Sequence, residues 1–173
     1  EERLSRNRNF VSVNGNDSNT GLPDRSVDFV TAAQAFHWFD TETFGEECRR
    51  ILKPDGKVMI VYNSRDEKAA CTVRLSALRH KYNPEFHGFS NGISHEKILA
   101  FYAGRCEIFR ADNTQTYDRQ GYLNRVLSSS YSLKEDDDRY AEYLKEIDEI
   151  FDAFSVDNLI TVPTETIAYI GTV

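Results

Sequence analysis

The distribution of apolar residues predicts alternating strands and helices in the first third of this chain. Residues 10–13, Phe-Val-Ser-Val, read as a short strand. Residues 14–24 are rich in Asn, Asp, Gly, Ser and Thr and read as a loop. Residues 27–32 are nearly all apolar or small, which fits a strand buried on both faces, as in a parallel sheet. Asp40 suits a helix N-cap, with Glu42 in the first turn, and Phe44, Cys48, Ile51 and Leu52 follow at helical spacing. Arg49 and Arg50 fall near the helix C-terminus, where the dipole favours cations. Pro54 and Gly56 are expected to stop this helix, and residues 57–62 form the next buried strand. Strand, helix, turn and strand make a βαβ unit with a right-handed crossover.

The pattern then changes. Residues 65–82 read as a helix with Ala70, Val73 and Ala77 on one stripe. Residues 83–92 form a loop, and Ser94 caps a helix carrying Ile98, Leu99 and Tyr102. Residues 106–117 are a strand and 120–127 a short helix. The acidic run 135–138 opens a long helix as a dipole-matched first turn, the alternative being a metal site. Tyr140, Leu144, Ile147, Phe151 and Phe154 form that helix's core stripe. Residues 159–162 and 166–173 are strand-like around a bend at Pro163. No repeat or low-complexity linker divides the chain. The reading is one α/β domain over 1–173: a βαβ core to residue 62, a helical cap over 63–104, and C-terminal strands and helices over 105–173.

A length of 173 residues suits a domain with a real core. The net charge of −7 argues against a general nucleic-acid or anionic-membrane surface, so neither partner is expected. Cys48, Cys71 and Cys106 lie far apart and are odd in number, which argues against a zinc or disulfide framework and for a reducing cytoplasm. His80, His87 and His95 have no metal-ligand spacing, so no metal is expected. No apolar run approaches the roughly 20 residues of a membrane span.

Three segments carry a family resemblance. They are Gly21-Leu22-Pro23-Asp24-Arg25-Ser26-Val27-Asp28-Phe29-Val30, Ala33-Gln34-Ala35-Phe36-His37-Trp38-Phe39-Asp40, and Arg50-Ile51-Leu52-Lys53-Pro54-Asp55-Gly56-Lys57. In this order and spacing they resemble the doubly wound, Rossmann-like methyltransferases that use S-adenosylmethionine. Tyr62-Asn63-Ser64-Arg65-Asp66, Leu127-Ser128-Ser129-Ser130-Tyr131 and Thr166-Ile167-Ala168-Tyr169-Ile170-Gly171 look like segments of a group of small bacterial members. The resemblance implies a seven-stranded sheet of spatial order 3-2-1-4-5-7-6. Residues 10–13 would be the third strand, 27–32 the fourth, 57–62 the fifth, 106–117 the sixth, and the C-terminal segment the antiparallel seventh. The first two strands and their glycine-rich turn have no counterpart, and no GxGxxG-like sequence occurs. The chain is therefore expected to be N-terminally truncated. It would bind the cofactor weakly or not at all, and be inactive alone. The uncovered edge of residues 27–32 would pair with a second copy, with residues 10–13, or with a separate N-terminal segment.

The resemblance also implies site residues. Asn16 or Asp17 would meet the adenine amine, the alternative being an Asx-rich turn. Ala33 and Gln34, at the carboxyl end of a parallel strand, would approach the cofactor. Phe36 and Trp38 would line the acceptor wall or pack in the core. His37 is the one candidate general base, or else structural. Tyr62, Asn63 and Arg65 would face the same mouth. Arg65 would bind an acidic acceptor or pair with Asp66 or Glu67. Tyr131 would reach the pocket from the cap or simply pack. The implied activity is methyl transfer to a small molecule. The alternative is a non-catalytic methyltransferase-like protein that binds or dimerises, with a nicotinamide-dependent Rossmann-like enzyme as a third reading.

Overall fold

The computed structural model describes Leu4, residues 6–89 and residues 94–173. Strand β1 (Val27–Ala33) is followed by a 3₁₀ turn (Phe36–Trp38), helix α1 (Thr41–Ile51) and the long strand β2 (Leu52–Arg65). Helices α2 (Ala70–Tyr82) and α3 (His95–Phe101) precede strands β3 (Cys106–Asp112) and β4 (Gln115–Tyr117). Helices α4 (Arg119–Leu127) and α5 (Tyr140–Phe154) lead to strands β5 (Ser155–Val156), β6 (Leu159–Val162) and β7 (Thr164–Gly171). One sheet has the order β1-β2-β7-β3 and a second the order β4-β6-β5. By their residues, the strands of the first sheet are the segments that the resemblance ranks fourth, fifth, seventh and sixth.

β1 and β2 pair in parallel, from Phe29 opposite Lys57 to Ala33 opposite Val61, with α1 as the crossover. Asp40 caps α1 through bonds from the Glu42 and Thr43 amides. The helix ends at Ile51, before Pro54, and residues 53–56 bulge out between the Val27–Leu52 and Phe29–Lys57 pairs. Ser94 caps α3 by accepting from the Lys97 amide at 3.1 Å.

Contacts gather into two compact units. One comprises Glu1–Val61, Ile93–Phe109 and Ala168–Val173, the other Tyr62–Gly92 and Arg110–Ile167. In the first, Phe36, Phe44, Cys48, Ile51, Val58, Ile60, Ile98 and Tyr102 are buried. The Tyr102 hydroxyl lies 3.1 Å from the Val58 carbonyl and 3.0 Å from that of Tyr169, tying α3 to strands β2 and β7. In the second unit, Cys71, Leu75, Leu78, Tyr82, Tyr122, Val126, Tyr143, Ile147, Ile150 and Phe151 form a core with Ile160 and Val162. Asp157 and Asn158 both have positive φ, 51° and 60°, and join β5 to β6 as a two-residue hairpin.

Several expectations are corrected. Residues 10–13 form no strand, and Phe10, Val11 and Val13 are exposed. This segment joins neither sheet, and strand composition alone does not make a strand. They do not move in beside β1 either. β1 is not buried on both faces: Phe29 is 50% exposed on this edge strand. α2 begins five residues later than expected and buries Cys71, Leu75, Leu78 and Tyr82, leaving Val73 53% exposed. The expected strand 106–117 is split between the two sheets. Asp112 Oδ1 accepts from the Thr114 amide and hydroxyl, an Asx turn that breaks the run. Residues 135–138 lie outside α5, whose buried face is Tyr143, Ile147, Ile150 and Phe151. No helix among the described residues is long and apolar enough to cross a membrane.

Candidate functional site

The carboxyl end of the β1–β2 pair is shaped by one residue in an uncommon conformation. Gln34 follows β1, and its amide donates to the Val61 carbonyl at 2.9 Å, carrying the pairing one residue further. Its φ of 54° then turns the chain away from the strand. A non-glycine residue there is strained and tends to mark functional turns. Ala33 and Gln34 are both exposed. The 3₁₀ turn that follows separates three aromatic side chains. Phe36 is 1% exposed and packs against Phe39, Phe44 and Phe101 at centroid distances of 6.4, 6.0 and 5.0 Å. It is an anchor in the core. Trp38 is 80% exposed, with the His37 ring 4.7 Å away. His37 is half-buried, and partial burial followed by the positive charge of Lys97 lowers its pKa below 6.5.

The loop of residues 14–24 belongs to the same unit. Asn16 Oδ1 accepts from the Ser18 amide and hydroxyl, each at 3.0 Å, and from the Asn19 amide at 2.7 Å. This is the Asx turn that the composition allows. Asp17 beside it is half-buried. The far half of the loop is fastened to α1 by Glu47, a residue that the hydrophobic pattern passes over. Glu47 Oε1 accepts from the Thr20 amide and hydroxyl at 2.8 and 2.6 Å, and both its oxygens accept from Arg50. Arg50 also reaches the Leu22 carbonyl and the Asp24 carboxylate. The signal lay in the periodicity: position 47 shares the inward face with Phe44, Cys48 and Ile51, where a carboxylate needs partners.

The remaining candidates belong to the second unit. Tyr62 is 1% exposed. Asn63 Oδ1 accepts from the Thr166 hydroxyl at 2.7 Å and from the Asn113 amide group at 3.3 Å, so it is spent within a local polar cluster. Arg65 is half-buried, with its guanidinium carbon 4.4 Å from the Phe89 centroid. It forms no ion pair with Asp66 or Glu67. Tyr131 is half-buried, edge-on to Phe86 at 5.3 Å. The structure thus gathers Asn16, Asp17, Ala33, Gln34, Phe36, His37 and Trp38 in one unit, and Tyr62, Asn63, Arg65 and Tyr131 in the other.

A family model described as a methyltransferase domain matches residues 1–60. An uncharacterized methyltransferase-like protein of Schizosaccharomyces pombe is 34% identical over 95 residues, covering 49% of this chain and 37% of that protein. An uncharacterized methyltransferase of the same yeast is 42% identical over 60 residues, covering 35% of this chain and 24% of that protein. The chain thus spans 37% and 24% of the lengths of these two relatives. Among solved structures, a candidate type II methyltransferase from Anaeromyxobacter dehalogenans superposes with a TM-score of 0.53 at 19% identity, covering 90% of this chain and 66% of that one.

Proposed function

We propose that the protein carrying this chain, whose fold is that of the Rossmann-like methyltransferases, transfers a methyl group from S-adenosylmethionine to a small-molecule acceptor. The observation that supports this reading most is the mouth at the end of β1. There a strained Gln34 and an 80% exposed Trp38 stand where open α/β sheets bind ligands. Methyl transfer is an in-line displacement at a sulfonium carbon with a neutral leaving group, so it rests on positioning donor and acceptor. Aromatic faces favour the sulfonium.

Within this reading, the Asn16 oxygen is engaged in its own turn, and Asp17 takes the adenine amine. Ala33, with no side chain beyond Cβ, lets the backbone approach the cofactor, and Gln34 bounds it. Phe36 holds the turn in place from below. Trp38 covers the acceptor side. His37, its pKa lowered by partial burial and by Lys97, is the candidate base for an acceptor that must lose a proton. Calorimetry of the full-length protein with S-adenosylmethionine tests the reading. Saturable binding is expected, weakened about tenfold by Asp17→Ala or Ala33→Leu with the unfolding midpoint unchanged. Equal affinity in both variants would remove these residues from the site.

A second reading concerns association. β1 is an edge strand carrying a half-exposed Phe29, and such an edge accepts a further strand. We propose that it pairs with β1 of a second copy. Sedimentation of this chain is expected to show a dimer that Val30→Pro abolishes, and a monomer at every concentration would dismiss the pairing.

A further inference from the structure

Helix α2 carries an arginine on its buried face. Arg79 is 1% exposed, on the same helix as the buried Leu75, Leu78 and Tyr82. Its Nη2 donates to the Val126 carbonyl at 3.1 Å, and its Nε and Nη1 have no partner. Buried guanidinium donors left unmet are costly, and an acceptor supplied from outside would recover that cost. Arg65 comes to the same place. The guanidinium carbons of Arg65 and Arg79 lie 4.4 and 5.7 Å from the centroid of Phe89, and Arg79 lies 5.8 Å from that of Phe86. Neither arginine forms an ion pair among the described residues.

The third member is Arg125, exposed on α4 one residue before the Val126 carbonyl that Arg79 holds. Burial, and then the like charges of Arg125 and Arg79, bring Arg65 down to about 10. Burial lowers Arg79 as well, and Arg125 again opposes its charge. Among the described residues Arg65, Arg79 and Arg125 form no ion pair, in a chain with net charge −7. Guanidinium forks match the paired oxygens of carboxylates and phosphates.

We propose that Arg65, Arg79 and Arg125 form a binding site for a small anion, the carboxylate or phosphate group of a ligand. The phenyl rings of Phe86 and Phe89 hold the two inner guanidiniums in place, and Arg125 stands at the solvent side. All of these residues belong to one unit. Arg65 is also the residue for which the family resemblance implies an acidic acceptor, but the anion site is tested without S-adenosylmethionine, so its failure would leave the methyl-transfer reading standing.

The test is calorimetry of the full chain with inorganic phosphate and with succinate, at matched ionic strength in chloride. One saturable site in the millimolar range or tighter is expected for at least one of them. Arg65→Gln and Arg125→Gln each weaken it by about tenfold, whereas Lys145→Gln leaves it unchanged. Binding of phosphate alone identifies a phosphorylated ligand, and binding of succinate alone a carboxylate. Arg79→Met is expected to abolish binding; where it unfolds the chain, the other two variants decide. No saturable site for either anion, or undiminished affinity in both Arg65→Gln and Arg125→Gln, would overturn the proposal.

Discussion

Thr20 and Glu47 are joined by two hydrogen bonds to a single oxygen: the Thr20 amide and hydroxyl both donate to Glu47 Oε1, at 2.8 and 2.6 Å. Glu47 is 6% exposed, and Arg50 binds it from the other side. This one carboxylate fixes the path of the loop that contains Asp17. Glu47→Ala leaves the Thr20 and Arg50 donors without their acceptor and is expected to cost about 2 kcal/mol, read from urea unfolding.

The same contact gives an acid limb. Hydrogen bonds from Arg50 and then Thr20 pull the Glu47 pKa from 4.5 to about 2. The folded value is the lower one, so the stabilisation is complete above pH 4.5 and is lost as pH falls toward 2. Urea midpoints measured at pH 6, 4 and 3 are expected to fall more steeply for the native sequence than for Glu47→Gln. Parallel slopes would show that this carboxylate is not held as described.

Gly171 occupies a place without room for a side chain. A Cβ there would sit 2.5 Å from the Arg105 carbonyl oxygen and 2.9 Å from Tyr102 Cδ1. Gly171→Ala must displace backbone, and a loss of about 2 kcal/mol is expected in thermal or chemical unfolding.

Tyr102 places its hydroxyl against two carbonyls, those of Val58 and Tyr169, at a position 1% exposed. Tyr102→Phe keeps the packing and removes the donor. A loss of about 1 kcal/mol is expected, with an unchanged circular dichroism spectrum.

Asn158 adopts φ of 60° in the β5–β6 hairpin. Asn158→Gly removes the cost of that conformation and is expected to raise stability by about 0.5 kcal/mol. A fall in the melting temperature would argue against the two-residue turn.

The parallel core was legible because it is written locally. The apolar runs of β1 and β2, the Asp40 and Ser94 caps and the α1 stripe each depend on a few neighbouring residues. What was illegible depends on distant ones. Residues 10–13 have strand composition, but composition alone does not place a segment in a sheet. Phe29 looks like a buried residue, yet it is half-exposed because β1 lies at the edge of its sheet. The face of α2 is ambiguous in the sequence because Ala70, Val73 and Ala77 match helical spacing as well as Leu75, Leu78 and Tyr82 do, and only packing chooses between them. Gln34 is singled out in the sequence by its place after a parallel strand, but its strained φ has no sequence signature. Glu47 and Arg79 are buried although charged residues mostly face solvent, so residue type alone does not mark them.

The central claim, that the loops around Asp17 and Ala33–Trp38 carry S-adenosylmethionine, is met most directly by photo-crosslinking. The full-length protein is irradiated with radiolabelled S-adenosylmethionine, digested, and its labelled peptides are sequenced. Label is predicted on peptides containing residues 14–20 or 33–39, and should be displaced by excess S-adenosylhomocysteine. Displaceable label confined to peptides outside both segments, or no label at a cofactor concentration that saturates an authentic methyltransferase run alongside, would contradict the account.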